Sequence, residues 1–483
     1  SGEGKIGLLL KSNLTSDEIS YEIKGTAERF SSEVINRDFN VSDGSLDFFA
    51  NKKGFVIKGD GKVENFPIQA QLSGTMEKDE TKILKIDFNL SEQALEMLPF
   101  SMPGIKMSGS APAKLYLKFL ESKKVEFELT SNLKGVELSY LPMGWIKKID
   151  DDAELKASGT LGDDFVLNNI SLISSELVLV GSARQMTDES AVLNFEKLAL
   201  RDVFDLQLRI EKDGALEITG GELNMQEFLK LPLAKNSSKK STPVIIYLDQ
   251  LKLNEKQFVT RFKTTLDFKG KGKFTGSLNN LASFGGEINR TNEGYSIIAS
   301  SKNAGSFFRA LGAVKAADGG TAELKITQVK NSVEMKGKLK IKNIRLRDMP
   351  ALLELLDAIS IVGLLDQLQG PGLVLNEVEA DFVNLPDQIK FKRASAFGPS
   401  IGISLEGYYA KTTNELNMQG VLSPLYVVNA IGSIFTRKGE GLLGFNYRLR
   451  GNAKKPEVLV NPLSIFTPAI FREIFRRPVP NLE

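Results

Sequence analysis

The chain has no cysteine and no histidine in 483 residues, and a single tryptophan. Without thiols there is no disulfide, no thiolate nucleophile and no Cys-ligated zinc. Without imidazole there is no Ser-His-Asp triad, no histidine acid–base step and no His-ligated metal. Carboxylate-only and Ser-Lys chemistries survive these exclusions, but no Asp/Glu pair sits in a recognisable constellation. The expectation is a protein that is not an enzyme, with no cofactor and no metal. The runs Asp150-Asp151-Asp152 and Asp163-Asp164 lack EF-hand spacing and read as solvated turns. An excess of one charge is missing too: 62 Lys+Arg face 60 Asp+Glu, for a formal net charge of +2. Nucleic acid is therefore not expected as a partner, because counterion release needs a basic face.

Long hydrophobic runs are also absent. The longest uncharged stretch, 416–436, is diluted by Asn417, Gln419, Pro424 and Asn429. A spanning helix needs about 20 mainly apolar residues, so no transmembrane segment is read. What is present is alternation. Leu115-Leu117-Phe119, Val125-Phe127-Leu129, Leu206-Leu208-Ile210 and Ile401-Ile403-Leu405 each place apolar residues two apart. Strand side chains point alternately to opposite faces, so each run has one apolar and one wetted face. Gly59-Asp60-Gly61, Gly162-Asp163, Asp213-Gly214, Asn292-Glu293-Gly294 and Asp318-Gly319-Gly320 read as turns between such runs. The expectation is a mainly β chain of roughly 30 antiparallel strands. Short helices follow strands at 91–98, 224–231, 303–311 and 348–368, each with Ser, Asn or Asp where an N-cap belongs. Another apolar helix is expected at 425–435.

So long a sheet must cover its apolar face with protein, a partner or lipid. Acyl chains serve as well as side chains, since about 25 cal/mol per Å² applies to both. The expected fold is an elongated antiparallel β-sheet groove with short interspersed and C-terminal helices. Its parts are 1–234, the N-terminal part of the groove; 235–242, a polar loop or hinge; 243–335, the middle part; and 336–483, a C-terminal region with amphipathic helices. Leu117, Phe127, Leu208, Ile341, Phe382, Ile403 and Phe445, each inside an alternating run, are the candidate lining. Near the C-terminus, Ile465, Phe466, Phe471 and Phe475 with Arg472, Arg476 and Arg477 combine apolar bulk with a basic end. They are candidates for membrane contact.

Motifs in 336–475 carry a resemblance. These are Gly337-Lys-Leu-Lys-Ile-Lys-Asn-Ile-Arg-Leu-Arg-Asp-Met-Pro350, the apolar helix that follows, and Phe397-Gly-Pro-Ser-Ile-Gly-Ile-Ser-Leu-Glu-Gly407. Gly420-Val-Leu-Ser-Pro-Leu-Tyr426, Phe445-Asn-Tyr-Arg-Leu-Arg-Gly451 and Pro456-Glu-Val-Leu-Val-Asn-Pro-Leu463 continue the series. This region resembles the C-terminal part of the AsmA-like family of bacterial envelope proteins, which are related to TamB and to bridge-like lipid transfer proteins. The resemblance implies a periplasmic β-groove that carries phospholipid between inner and outer membranes. It also implies a role in outer-membrane biogenesis, partners at both membrane surfaces and among envelope proteins, and an inner-membrane anchor helix preceding this chain. It transfers no individual functional residue. The alternative is an assembly factor that binds outer-membrane protein clients at its sheet edges.

Overall fold

A computed structural model describes residues 2–8, 19–36, 39–63, 66–76, 81–96, 105–120, 124–140, 143–162, 164–185, 191–232, 242–292, 294–312, 316–329, 332–424, 437–441, 443–467 and 478–480. Thirty strands occur among them, 27 in long open antiparallel sheet and three in a small sheet. The fold is mainly β with few short helices, and the long sheet does not close into a barrel. The chain divides into two units, Ser1–Thr242 and Pro243–Glu483. Apart from Thr242, the expected polar loop lies outside the described residues.

In the first unit, strands pair in chain order from Gly2–Leu8 to Lys82–Leu90. Lys82–Leu90 then pairs with Ala111–Phe119, next comes Val125–Ser131, and then Ala153–Leu161. Chain order resumes from there to Leu216–Asn224. The two excursions supply the small sheet of Ile105–Gly109, Val136–Tyr140 and Trp145–Lys147. This sheet packs over one end of the large one, where Leu90, Ala111, Leu133, Val136 and Trp145 are buried together. Lys147 is buried there, and its ammonium donates to the carbonyls of Val136 (2.8 Å) and Lys148 (2.9 Å). Burial holds its pKa below the usual lysine value, against the pull of Asp151, Asp152 and Asp150.

In the second unit, strands pair consecutively from Val244–Lys252 to Glu457–Asn461. Helices Pro350–Ala358 and Val362–Gln369 lie between Met335–Arg347 and Leu373–Asn384 in sequence. They pack over one end of the sheet, burying Leu355, Leu356, Leu364 and Leu368 against Ile341, Ile344, Leu346 and Leu373.

Several local expectations are corrected. The continuous helix over 348–368 is two helices, broken at Ser360 with φ 58°. Ile361 N–H bonds the Leu356 carbonyl and Ser360 N–H the Asp357 carbonyl, the Schellman pattern that ends a helix. Its N-cap is Met349 followed by Pro350, not Asp348. Asn303 does cap its helix, accepting from Ser306 N–H at 3.0 Å, whereas Asn224 makes no side-chain cap bond. Gly59-Asp60-Gly61 is not a turn but the middle of strand Gly54–Val63. A Cβ on Gly59 would lie 2.1 Å from the Ser45 carbonyl and 2.5 Å from a Leu46 methyl, so the glycine makes room for its neighbour strand. Asp318-Gly319-Gly320 also lies inside a strand, Ala316–Gln328. There Gly320 pairs near Asn343 in a shared positive-φ distortion, and Asp318 receives Arg309 (3.0 Å) and Arg347. The helix expected at 425–435 lies outside the described residues.

Candidate functional site

Directly paired residues in an antiparallel ladder share a face. Following the register from strand to strand therefore shows which side chains form continuous rows. In the first unit, one row runs Phe48, Ile57, Leu72, Leu84, Leu117, Phe127, Gly159, Leu167, Ala183, Leu193, Ile210, Leu216. Beside it runs a second: Leu46, Gly59, Ala70, Ile86, Leu115, Leu129, Ala157, Ile170, Gly181, Phe195, Leu208, Ile218. Neither row contains a polar side chain. At about 4.8 Å per strand, each follows the sheet for over 50 Å of contour. Leu117 and Phe127 are neighbours in the first row, and Leu208 belongs to the second.

Glycines interrupt both rows without making them polar. Gly159 sits beneath Phe127, whose ring stacks on Phe165 at 5.9 Å between centroids. The registers from Ala153–Leu161 to Leu216–Asn224 shift once in each successive pairing. Such bulges increase local twist while the apolar side chains stay on one face.

The second unit repeats the arrangement. One row runs Ala322, Ile341, Val378, Ala396, Ile403, Leu422, Phe445. It unites three residues that lie up to 104 positions apart in sequence, Ile341, Ile403 and Phe445. Phe382 belongs to a parallel row with Ile297, Ile326, Gly337 and Phe391. Its ring covers Gly337 and lies 6.1 Å from Phe391. Cover differs along these rows. Ile341 is 1% exposed beneath the two helices, and Leu208 is 7% exposed, so protein covers both. Leu117, Phe127, Phe382, Ile403 and Phe445 are half-buried.

The opposite face is charged. In the second unit, Lys340 reaches Glu379 (2.8 Å) and Glu377 (3.2 Å), and Lys438 reaches Glu379 (2.7 Å) and Glu377. Lys438 belongs to residues 437–441, a strap crossing this face. Arg437 pairs with Glu406 at 3.2 Å, Ser404 Oγ donates to Glu440 at 2.7 Å, and Gly441 N–H bonds Ser423 Oγ at 2.9 Å. The strap, whose own Glu440 is buried, explains why Glu406 and Ser423 are buried on a face that alternation marks as wetted. Nothing in the sequence pattern signals it. Tyr447, buried on the apolar side, donates to the Ser404 carbonyl at 2.8 Å, and burial raises its pKa.

The hydrogen bond from Lys438 holds Glu377 below the usual carboxylate range, and that from Lys340 does the same for Glu379. The bonds to Glu379 and Glu377 raise Lys340. Burial alone would lower Lys438, but its bonds to the same pair outweigh this and raise it. Depressed carboxylates contribute stability above their unfolded pKa that is lost as pH falls through the folded values. Raised lysines contribute stability below their unfolded pKa that is lost as pH rises through the folded values. The strap is therefore expected to hold at neutral pH and loosen below about pH 4. Hydrogen-exchange protection of the Gly441 amide, corrected for intrinsic rate, should fall there. Unchanged protection would mean that the ion pairs do not secure it.

Of the membrane-contact candidates, Phe466 is 81% exposed and Ile465 half-buried in the 3-10 turn Pro462–Phe466. Phe471, Arg472, Phe475, Arg476 and Arg477 lie outside the described residues. Among the described residues no helix is long and apolar enough to cross a membrane, and no group of three or more acidic side chains could hold a metal ion. The fold and the rows together define a class, that of open antiparallel sheets with one continuous apolar face per unit. No family model, curated protein or solved structure matches the chain.

Proposed function

We propose that the apolar faces hold phospholipid acyl chains and that the protein carries phospholipid between the inner and outer membranes of a bacterial envelope. The observation that supports this most directly is the continuity of the apolar rows on sheets that do not close. Acyl chains lying along a row would replace water over surface that protein covers only in part. Headgroups would stay at the wetted rim. No bond is made or broken, so the transfer is passive and non-enzymatic. In this reading the protein works in the periplasm, held at the inner membrane by a helix preceding this chain, with envelope proteins as further partners. The exposed turn Pro462–Phe466 and the basic segment after it would meet a membrane surface. If so, deletion of 464–483 would weaken vesicle binding.

Quantitative lipid analysis of the gently purified chain, by native mass spectrometry and solvent extraction, tests the reading. Several phospholipids per chain are expected. A folded, monodisperse and lipid-free preparation would overturn it. The assembly-factor reading keeps one supporting observation. Among the described residues, strand Glu457–Asn461 is paired on one side only, with Leu459 48% exposed. Such an edge can receive a client strand.

A further inference from the structure

One rim of the second unit combines exposed apolar side chains with a cationic face. Strands Ala316–Gln328 and Met335–Arg347 form a hairpin whose turn lies at the strand ends opposite the two helices. The turn is closed by Val329 N–H to the Glu334 carbonyl at 3.0 Å. Beside it, Val333 is 73% exposed and Met335 41% exposed. Apolar side chains at a hairpin tip gain nothing from water and are the kind that enter a bilayer interface.

The charged face next to this tip is cationic. The register places Lys325, Lys338, Asp381 and Arg393 in one cross-strand line, with Lys336 one step nearer the tip and Lys392 at the bulge beside Arg393. Lys338 and Arg393 are each 77% exposed and reach Asp381 only loosely, at 4.0 and 3.8 Å. Five cations therefore face Asp381, with Glu323 and Glu334 at the border. Toward the strap the balance changes, because Lys340 and Lys438 are neutralised by Glu377 and Glu379. A hollow runs from Arg437 and Lys438 of the strap past Lys340 and Glu379 to Lys325, Lys338, Lys392 and Arg393, cationic at the end nearer the tip.

We propose that this rim docks on the surface of an anionic phospholipid bilayer, with Val333 and Met335 entering the interface and Lys325, Lys336, Lys338, Lys392 and Arg393 meeting lipid phosphates. The inference rests on the lipid-carrier reading. It adds a place where the sheet meets a membrane, at the strand ends that the helices leave uncovered, flanking the apolar rows. Attraction to anionic lipid is additive over basic residues and falls off within a Debye length, so docking depends on both lipid charge and salt.

The test is flotation of the full chain with phosphatidylcholine vesicles, with and without about 30 mol% phosphatidylglycerol. Binding only to the anionic vesicles, weakened on going from about 50 to 300 mM salt, is expected. Lys338→Glu/Arg393→Glu and Val333→Asp/Met335→Asp should each lower it about tenfold or more. Lys58→Glu/Lys85→Glu, the same change in net charge on the first unit, should leave it unchanged. Equal binding to both vesicle types, or undiminished binding by the rim variants, overturns the proposal. All these positions are exposed, and a melting curve for each variant separates lost docking from lost folding. Should one double variant misfold, Lys336→Gln/Lys392→Gln replaces it. Extracting lipid from the same preparations separates the two readings: lost docking with retained lipid bears on the rim alone. Lipid-free protein that still docks overturns only the carrier reading.

Discussion

Ile341→Asp is expected to unfold the second unit. The side chain is 1% exposed, held between the sheet and helices Pro350–Ala358 and Val362–Gln369. Its surroundings, Ile344, Leu356, Leu368 and Leu373, offer a carboxylate no donor and no counter-charge. Either the charge stays in an apolar site or the group protonates at a cost, and the helix contacts are lost in both cases. Loss of about 4 kcal/mol or more is expected, against about 1 kcal/mol for Ile341→Val. Urea denaturation followed by circular dichroism measures both. A midpoint for Ile341→Asp close to the unmodified chain would mean that the helices do not pack there.

Leu117→Asp is expected to act differently, because Leu117 is half-buried in a row that protein covers only partly. The carboxylate can keep its hydration, so the fold should survive while the apolar floor is interrupted between Leu84 and Phe127. On the lipid-carrier reading, bound phospholipid should fall about fivefold or more, since an acyl chain lying over that point would have to desolvate a charge. Lys118→Asp is the matched comparison. It puts a carboxylate one residue along the same strand on the opposite face and loses only an exposed pair with Glu126 (3.3 Å), worth little. Lipid content should then be close to normal. Equal loss in both variants, or in neither, would mean that acyl chains do not lie along this face.

The contrast between Ile341 and Leu117 shows where sequence reading stops. Both sit in equally regular alternating runs, and period two correctly placed each on an apolar face. Whether helices or open space lie above that face depends on how the connecting segments fold back, which a period of two does not encode. Glycines misled for a related reason. Gly59 looks like turn punctuation, but its missing side chain is occupied by the neighbouring strand. At 267–271 and 213–214 glycine does turn the chain, because Gly270 and Gly214 take positive φ whereas Gly59 stays extended. The rows themselves were only partly legible. The runs containing Ile341, Ile403 and Phe445 were identifiable one by one, but their alignment depends on registers that bulges displace between them. The strap at 437–441 had no signature, since ion pairs between distant segments leave no periodicity.

Pairing in chain order has a consequence for how each unit comes into being. Apart from the two excursions in the first unit and the longer connections at 348–372 and 425–444 in the second, every strand finds its partner in the strand just made across a short connection, which keeps most loop closures cheap. A unit can grow like a zipper, each new strand adding to the last, in the manner of a repeat array whose stability accumulates through nearest neighbours. A chain delivered end first could thus fold as it emerges, with one growing edge exposed at a time.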